Sequence, residues 1–198
     1  PYKAISTKAL HPIYLNLDKL GTLQDENDRV YFENQRIILK AKDYVDYPEV
    51  MKVKDIYFKK IFKQDWEITK DTEDFQTFFK ENKDWLIPYA VFCSQQPTAN
   101  SQQQEFHYFL QYHLDKQLKE AVDYLHEKGI ALKGDIPIGI GRHSVEAYTN
   151  PELFNLDCQA GAPPDAFATE GQNWGFPTYN WNAMANDNYQ WWRDRLTQ

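Results

Sequence analysis

Residues 106–138 read FHYFLQYHLDKQLKEAVDYLHEKGIALKGDIPI, and their reading decides the fold class. Phe106, Leu110, Leu114, Leu118, Val122 and Leu125 recur at three to four residues, which predicts one apolar stripe along a helix of about five turns. Lys128 falls in the last turn and Gly129 can take the left-handed cap. The run Ile130 to Ile138 is apolar enough for a buried strand. Pro137 limits it, because proline donates no ladder hydrogen bond. A long helix, a short turn and an apolar strand make one step of a parallel α/β fold.

Toward the C-terminus the character changes. Residues 141–182 are rich in Pro, Gly, Asn, Asp and aromatic side chains and have almost no periodicity. So long an irregular stretch is uncommon inside a compact domain. When it follows a parallel strand, it lies on the face where α/β barrels keep their sites.

Toward the N-terminus the chain reads as helical. Val50, Val53, Ile56, Tyr57 and Ile61 keep helical spacing, with Pro48 in the first turn, where its missing N–H costs nothing. Asp71 and Thr72 can cap a short helix carrying Phe75, Phe78 and Phe79. A further helix is expected from Asp84 past Trp85, Tyr89 and Phe92, with Pro88 near its start. Residues 94–104 are polar and read as a surface connection. Before all of these, Gly21 and Asp25 to Asp28 mark a turn, followed by a short strand or the start of a helix near Ile37 to Leu39. The expected organisation is one domain in three parts: loops and short elements over 1–39, a helical insertion over 40–103, and helix, strand and long loop over 104–198.

The chain has 198 residues with 42% hydrophobic and 26% charged side chains, enough to build a core. Its net charge of −7 argues against a nucleic-acid partner. No run of about 18 apolar residues is present to span a membrane. Cys93 and Cys158 form neither a metal-ligand spacing nor a disulfide framework, which fits a reducing compartment and a cytoplasmic location. The chain opens on Pro1 and closes on a helix-like segment without a stop signal, as expected of a fragment. Aromatic residues reach 16%. Most should be core, and the remainder could stack on the apolar faces of sugar rings.

Several side chains are candidates for chemistry. Asp135 lies in the expected strand, where it either points into a barrel mouth or hydrogen-bonds loop backbone. Arg142, His143 and Glu146 could contact a polyhydroxylated ligand, or form a solvated loop with a Glu–Arg pair. Asp165 has a stiff approach, because Pro163 and Pro164 fix φ. Gln172, Asn173 and Trp174 set two amides beside an indole between glycines. Amides pair with sugar hydroxyls and an indole covers a sugar's C–H face; the alternative is a tight loop packed by a buried Trp. Tyr179 and Trp181 read as loop anchors, and His107 and His113 as flank or core residues. No phosphate-cradling Gly-rich loop, His-Glu-x-x-His pattern or Gly-x-Ser-x-Gly elbow occurs, so neither a cofactor nor a metal is expected.

At this point the motifs resemble a family. PYKAISTKALHP (1–12), KGDIPI (133–138), NPELF (150–154), GAPPD (161–165) and GQNWGFPTYNW (171–181) are similar, in this order, to segments of the 4-α-glucanotransferases, glycoside hydrolase family 77. GQNWG and the following YQWWR (189–193) look closest to the maltose-using cytosolic disproportionating branch. The likeness is loose between residues 20 and 100.

The resemblance implies a partial (β/α)₈ TIM barrel with a mostly helical insertion subdomain. It implies retaining transfer of α-1,4-glucan segments between malto-oligosaccharides, in which an acceptor sugar resolves a glycosyl-enzyme. The family's nucleophile Asp and acid/base Glu are expected beyond residue 198, so no catalytic residue is assigned here and the fragment is expected to be inactive alone. Tyr2 matches a stacking tyrosine, and Asp165, Phe167, Gln172 and Trp174 fall in the loop that covers the glucan. Asp135 and His143 complete the expected binding set. Many family members carry Asp where His143 stands, which implies a subgroup with its own donor preference. The competing readings are a non-catalytic α-glucan-binding module and a purely helical interaction domain. An incomplete barrel also predicts self-association through unpaired strand edges.

Overall fold

The computed structural model describes residues 4–94 and 101–197, with the backbone alone at Ser101. The chain divides into two compact units: Ala9–Lys133, and Pro1–Lys8 with Gly134–Gln198.

The first unit is helical. After a 3₁₀ turn at Pro12–Tyr14 come α1 (Leu17–Leu20), α2 (Glu26–Lys40), α3 (Tyr47–Thr69), α4 (Glu73–Ser94) and α5 (Ser101–Glu127). The expected strand or helix start near Ile37 is the end of α2, which Asp25 caps by accepting from the Asp28 amide at 3.0 Å. Asp46 caps α3, and Pro48 sits in its first turn as the sequence predicts.

The two helices expected between Asp71 and Phe92 are one, with Pro88 inside it. Thr72 caps its start, accepting from the Phe75 amide at 3.3 Å. Leu86, Tyr89 and Ala90 are buried on either side of Pro88. That burial offsets the hydrogen bond the proline removes, so tertiary packing overrides the local break signal.

Aromatic side chains fill the core of this unit. Phe62 meets Phe109 edge-on at 5.6 Å, Trp66 meets Phe75 at 5.1 Å, and Phe78 meets Tyr112 at 5.6 Å. Trp66 satisfies its indole N–H on Glu105 at 2.9 Å. Long polar side chains pin the segment that precedes α2. Gln111, almost fully buried, accepts from the Leu10 amide and donates to the Leu10 carbonyl, both at 2.9 Å. Gln117 treats Asn16 in the same way, and Lys54 donates to the carbonyls of Ile13 and Leu15 at 2.6 and 2.7 Å.

The division expected at residues 103 and 104 does not coincide with this architecture. Helix α5 begins at Ser101 and buries Tyr108, Phe109, Leu110, Tyr112 and Leu114 inside the helical unit, so it belongs there and not with the residues that follow it. Residues 95–100 of the expected connection lie outside the described residues. The helix ends as its sequence says: Gly129 has φ +70°, and the Ile130 amide donates back to the Leu125 carbonyl at 2.9 Å, a left-handed cap.

The buried strand expected over Ile130–Ile138 is not formed. Ile130, Leu132, Ile136 and Ile138 are all exposed and the segment pairs with no strand. The described residues contain only four two-residue strands, all in antiparallel pairs. A central parallel strand needs a neighbour on each edge, and the described chain offers it none.

The second unit gives structure to the stretch expected to be irregular. Its elements are α6 (Val145–Thr149), a 3₁₀ turn at Pro151–Leu153, β1 (Phe154–Asn155), β2 (Gly161–Ala162), β3 (Gln172–Asn173), β4 (Thr178–Tyr179), α7 (Trp181–Asn186) and α8 (Gln190–Leu196). β1 pairs with β4 and, nested inside, β2 pairs with β3. Ile140, Ala147, Leu153, Phe154 and Met184 form the core, with Tyr179, Trp191 and Trp192 packed against it. Among the described residues, no helix is long and apolar enough to cross a membrane.

Candidate functional site

The nested strand pairs close a loop on itself and fix which side chains it displays. Gly161 stands opposite Asn173. A Cβ there would sit 2.0 Å from the Gln172 carbonyl oxygen, so the ladder requires glycine. Gly171 has φ +72° and donates its amide to Ala168 O at 2.9 Å. Asp165 lies at the turn between. Its Oδ1 accepts from the amides of Phe167 and Ala168 at 2.8 and 2.7 Å. The carboxylate therefore folds the turn, and the turn projects Phe167 wholly into solvent, 99% exposed.

Across the ladder, Gln172 Oε1 accepts from the Trp174 indole N–H at 3.0 Å. Asn173 is held by Gln159 and accepts from the Gly175 amide. Trp174 remains 38% exposed and lies tilted against Phe176 at 5.8 Å. It is thus neither the buried anchor of a tight loop nor a free ring: one face packs and the other is open.

Asp135 and His143 flank a second segment. Asp135 is exposed and makes no side-chain hydrogen bond among the described residues. Two residues on, Pro137 O accepts from Arg195 Nη2 at 2.6 Å, and Ile138 O accepts from the Tyr179 hydroxyl at 3.0 Å. Burial raises the Tyr179 hydroxyl pKa, and Arg195 partly opposes that shift. Gly139 passes so close to Phe176 that a Cβ would meet the ring at 2.4 Å. His143 is exposed on the turn into α6, whose cap Ser144 accepts from the Ala147 amide at 3.2 Å.

The solvated Glu–Arg pair considered for this turn does not exist. Arg142 donates to the Cys158 carbonyl at 2.8 Å, which ties the turn to the start of the displayed loop. Glu146 is buried and bonds Thr7. The structure thus brings Asp165, Phe167, Gln172 and Trp174 together on one loop and places Asp135 and His143 on the segment that Arg195, Tyr179 and Arg142 anchor. Tyr2 lies outside the described residues.

Arg195 escapes sequence reasoning. Its guanidinium lies 4.7 Å from the rings of both Trp191 and Trp192. The available signal is an Arg three and four residues after two tryptophans on one helix. Among the described residues no three His, Cys, Asp or Glu side chains are grouped as a metal site would need.

The model of glycoside hydrolase family 77, 4-alpha-glucanotransferase, matches residues 1–105 and 94–198. The chain belongs to glycoside hydrolase family 77. The 4-alpha-glucanotransferase DPE2 of Oryza sativa subsp. japonica is 40% identical over 231 residues, covering all of this chain and 24% of the rice protein. A 4-alpha-glucanotransferase of Chlamydia muridarum is 32% identical, covering 99% of this chain and 42% of its own length. Among solved structures, the amylomaltase of Streptococcus agalactiae in complex with acarbose superposes with a TM-score of 0.82 at 25% identity, over all of this chain and 46% of that one. This family 77 chain therefore spans a quarter to under half the length of these relatives.

Proposed function

We propose that the protein carrying this chain is a 4-α-glucanotransferase that moves α-1,4-glucan segments between malto-oligosaccharides by retaining double displacement. The observation that carries this reading is the family match along the whole chain. The displayed loop supports it, because an open indole face, an exposed phenyl ring and exposed amides suit a flat, polyhydroxylated ligand. In this reading Ile130–Ile138 is one strand of a (β/α)₈ barrel whose other strands cover its exposed isoleucines, and the carboxylate pair lies outside these residues. Tyr2, Asp135, His143, Asp165, Phe167, Gln172 and Trp174 bind sugar. The free thiols of Cys93 and Cys158 suit a cytoplasmic protein. GQNWG and His143 favour maltose as donor.

The test has two parts. The full-length protein is assayed for transfer from maltose and from maltotriose and longer donors. This chain is titrated with maltoheptaose, and with cellohexaose as control, by tryptophan fluorescence. Transfer supports the enzyme reading, and faster transfer from maltose supports the donor preference; equal rates overturn the latter. Saturable binding to maltoheptaose by a full-length protein that transfers nothing favours a non-catalytic α-glucan-binding module.

A further inference from the structure

The displayed loop has a neck. Its two nested ladders, β1 with β4 and β2 with β3, are separated by residues 156–160 on the outgoing arm and 174–177 on the returning one. Two backbone bonds close the neck beside β2 and β3. The Ala160 amide donates to Phe176 O at 2.8 Å, and the Trp174 amide donates to Ala160 O at 2.9 Å. Trp174 therefore stands on the neck itself, with one face against Phe176. The outgoing arm turns at Cys158, whose amide donates to Asn155 O at 3.2 Å.

The segment 139–142 holds both arms. On the returning arm, Phe176 fills the space beside Gly139, where a Cβ would meet the ring at 2.4 Å. On the outgoing arm, Arg142 donates from Nη2 to Cys158 O at 2.8 Å. Among the described residues no carboxylate pairs with Arg142. Ordering so long a side chain costs rotamer entropy, and here a backbone carbonyl, not an ion pair, is what it meets. The effect of the bond is geometric: it fixes Cys158 against the turn that carries His143.

We propose that Arg142 is a positioning residue for glucan binding. It pins the neck of the loop, and with it the direction in which the open face of Trp174 looks, before sugar arrives. This rests on the α-glucan reading above. The guanidinium does not touch sugar; it acts through Cys158 O and the two neck bonds at Ala160. Preorganisation of this kind lowers the ordering cost of binding. The geometry also separates the roles of its variants. One N–H makes the tie, so lysine can replace it in part, whereas methionine keeps the apolar stem and offers no donor.

The experiment is steady-state transfer kinetics on the full-length protein, with thermal melts and amide exchange on every variant. Arg142→Met is expected to raise KM for the glucan donor about fivefold while kcat changes by less than about twofold, the mark of lost uniform binding. Exchange at the Ala160 and Trp174 amides should quicken in the same variant. Arg142→Lys recovers most of the loss. In a Trp174→Ala background the Arg142→Met effect shrinks to under about twofold, because the guanidinium acts through the placing of that ring. An unchanged KM in Arg142→Met overturns the proposal. Full additivity with Trp174→Ala overturns it as well, and assigns the guanidinium to the sugar directly. A wild-type protein that neither transfers nor binds glucan instead overturns the functional reading beneath it.

Discussion

Arg195 donates from Nη2 to the Pro137 carbonyl oxygen at 2.6 Å across 58 residues of sequence. It is almost fully buried, and its guanidinium lies 4.7 Å from the rings of both Trp191 and Trp192, which stand at 88° to each other. That geometry serves a planar cation and not an ammonium. Arg195→Lys is expected to destabilise the second unit by about 2 kcal/mol, through the lost stacking and the orphaned carbonyl. The measurement is amide exchange over residues 138–141. Protection unchanged from wild type would show that the Tyr179–Ile138 and Gly141–Ala4 bonds hold the segment without Arg195.

Burial holds the imidazole of His113 down to about pKa 4 from an ordinary 6.5, with Lys116 adding to the effect. It packs against Phe109 at 4.4 Å and Tyr112 at 5.0 Å. The unfolded chain takes its proton near 6.5 and the folded chain only near 4. Stability is therefore full above about pH 6.5 and falls as the pH drops toward 4, by about 3 kcal/mol in all. His107, lowered by its own burial, acts in the same direction. Melts of wild type and His113→Leu between pH 7 and 4 check this: the leucine variant should lose much of the slope.

Gln111 satisfies both the N–H and the C=O of Leu10 with one amide. Gln111→Leu fills the same space but orphans both backbone groups, so a loss of about 2 to 3 kcal/mol is expected. The hydrophobic gain cannot recover it, because the residue is already 2% exposed. Chemical denaturation of the helical unit is the measurement. A variant as stable as wild type would mean that water replaces the clamp.

Isolated, this chain leaves Ile130, Leu132, Ile136 and Ile138 exposed on an unpaired segment. Such an edge recruits partners. The chain is expected to self-associate, and Leu132→Lys with Ile136→Lys to return it to monomer, as read by sedimentation. A wild-type chain that stays monomeric at high concentration would show that this segment alone does not drive association.

How much of this was legible in the sequence follows from where the forces lie. The cap at Gly129, Pro48 in the first turn of α3 and the apolar stripe up to Leu114 are local signals, and local structure obeys them. The stripe overshoots at Leu118, which is exposed because nothing described packs there. Pro88 misleads because the burial of Leu86 and Tyr89 outweighs its break signal. Ile130–Ile138 is unpaired among the described residues because a strand is a property of a pair, which the apolar run alone does not supply. On the displayed loop, composition marks Gln172 and Trp174 as candidates, and the structure places both on it. Composition cannot show that Asp165 folds the turn, or that Glu146 reaches back 139 residues to Thr7.

The two hydrogen bonds that Asp165 accepts allow a turn-folding role to be separated from a sugar-binding one. Oδ1 takes the amides of Phe167 and Ala168, and the turn they close holds Phe167 in solvent. If Asp165 serves glucan only through that turn, any acceptor at Oδ1 will do. Asp165→Asn should then keep maltoheptaose affinity within about threefold, while Asp165→Ala loses about tenfold, the cost of one to two hydrogen bonds. Phe167→Ala should reproduce most of the alanine loss. If the carboxylate itself meets a sugar hydroxyl, its charge matters, and asparagine is as damaging as alanine although the turn persists. Fluorescence titration of the three variants, with exchange at the Ala168 amide to report the turn, distinguishes the two. Loss in Asp165→Asn with a protected Ala168 amide would assign the carboxylate to the sugar.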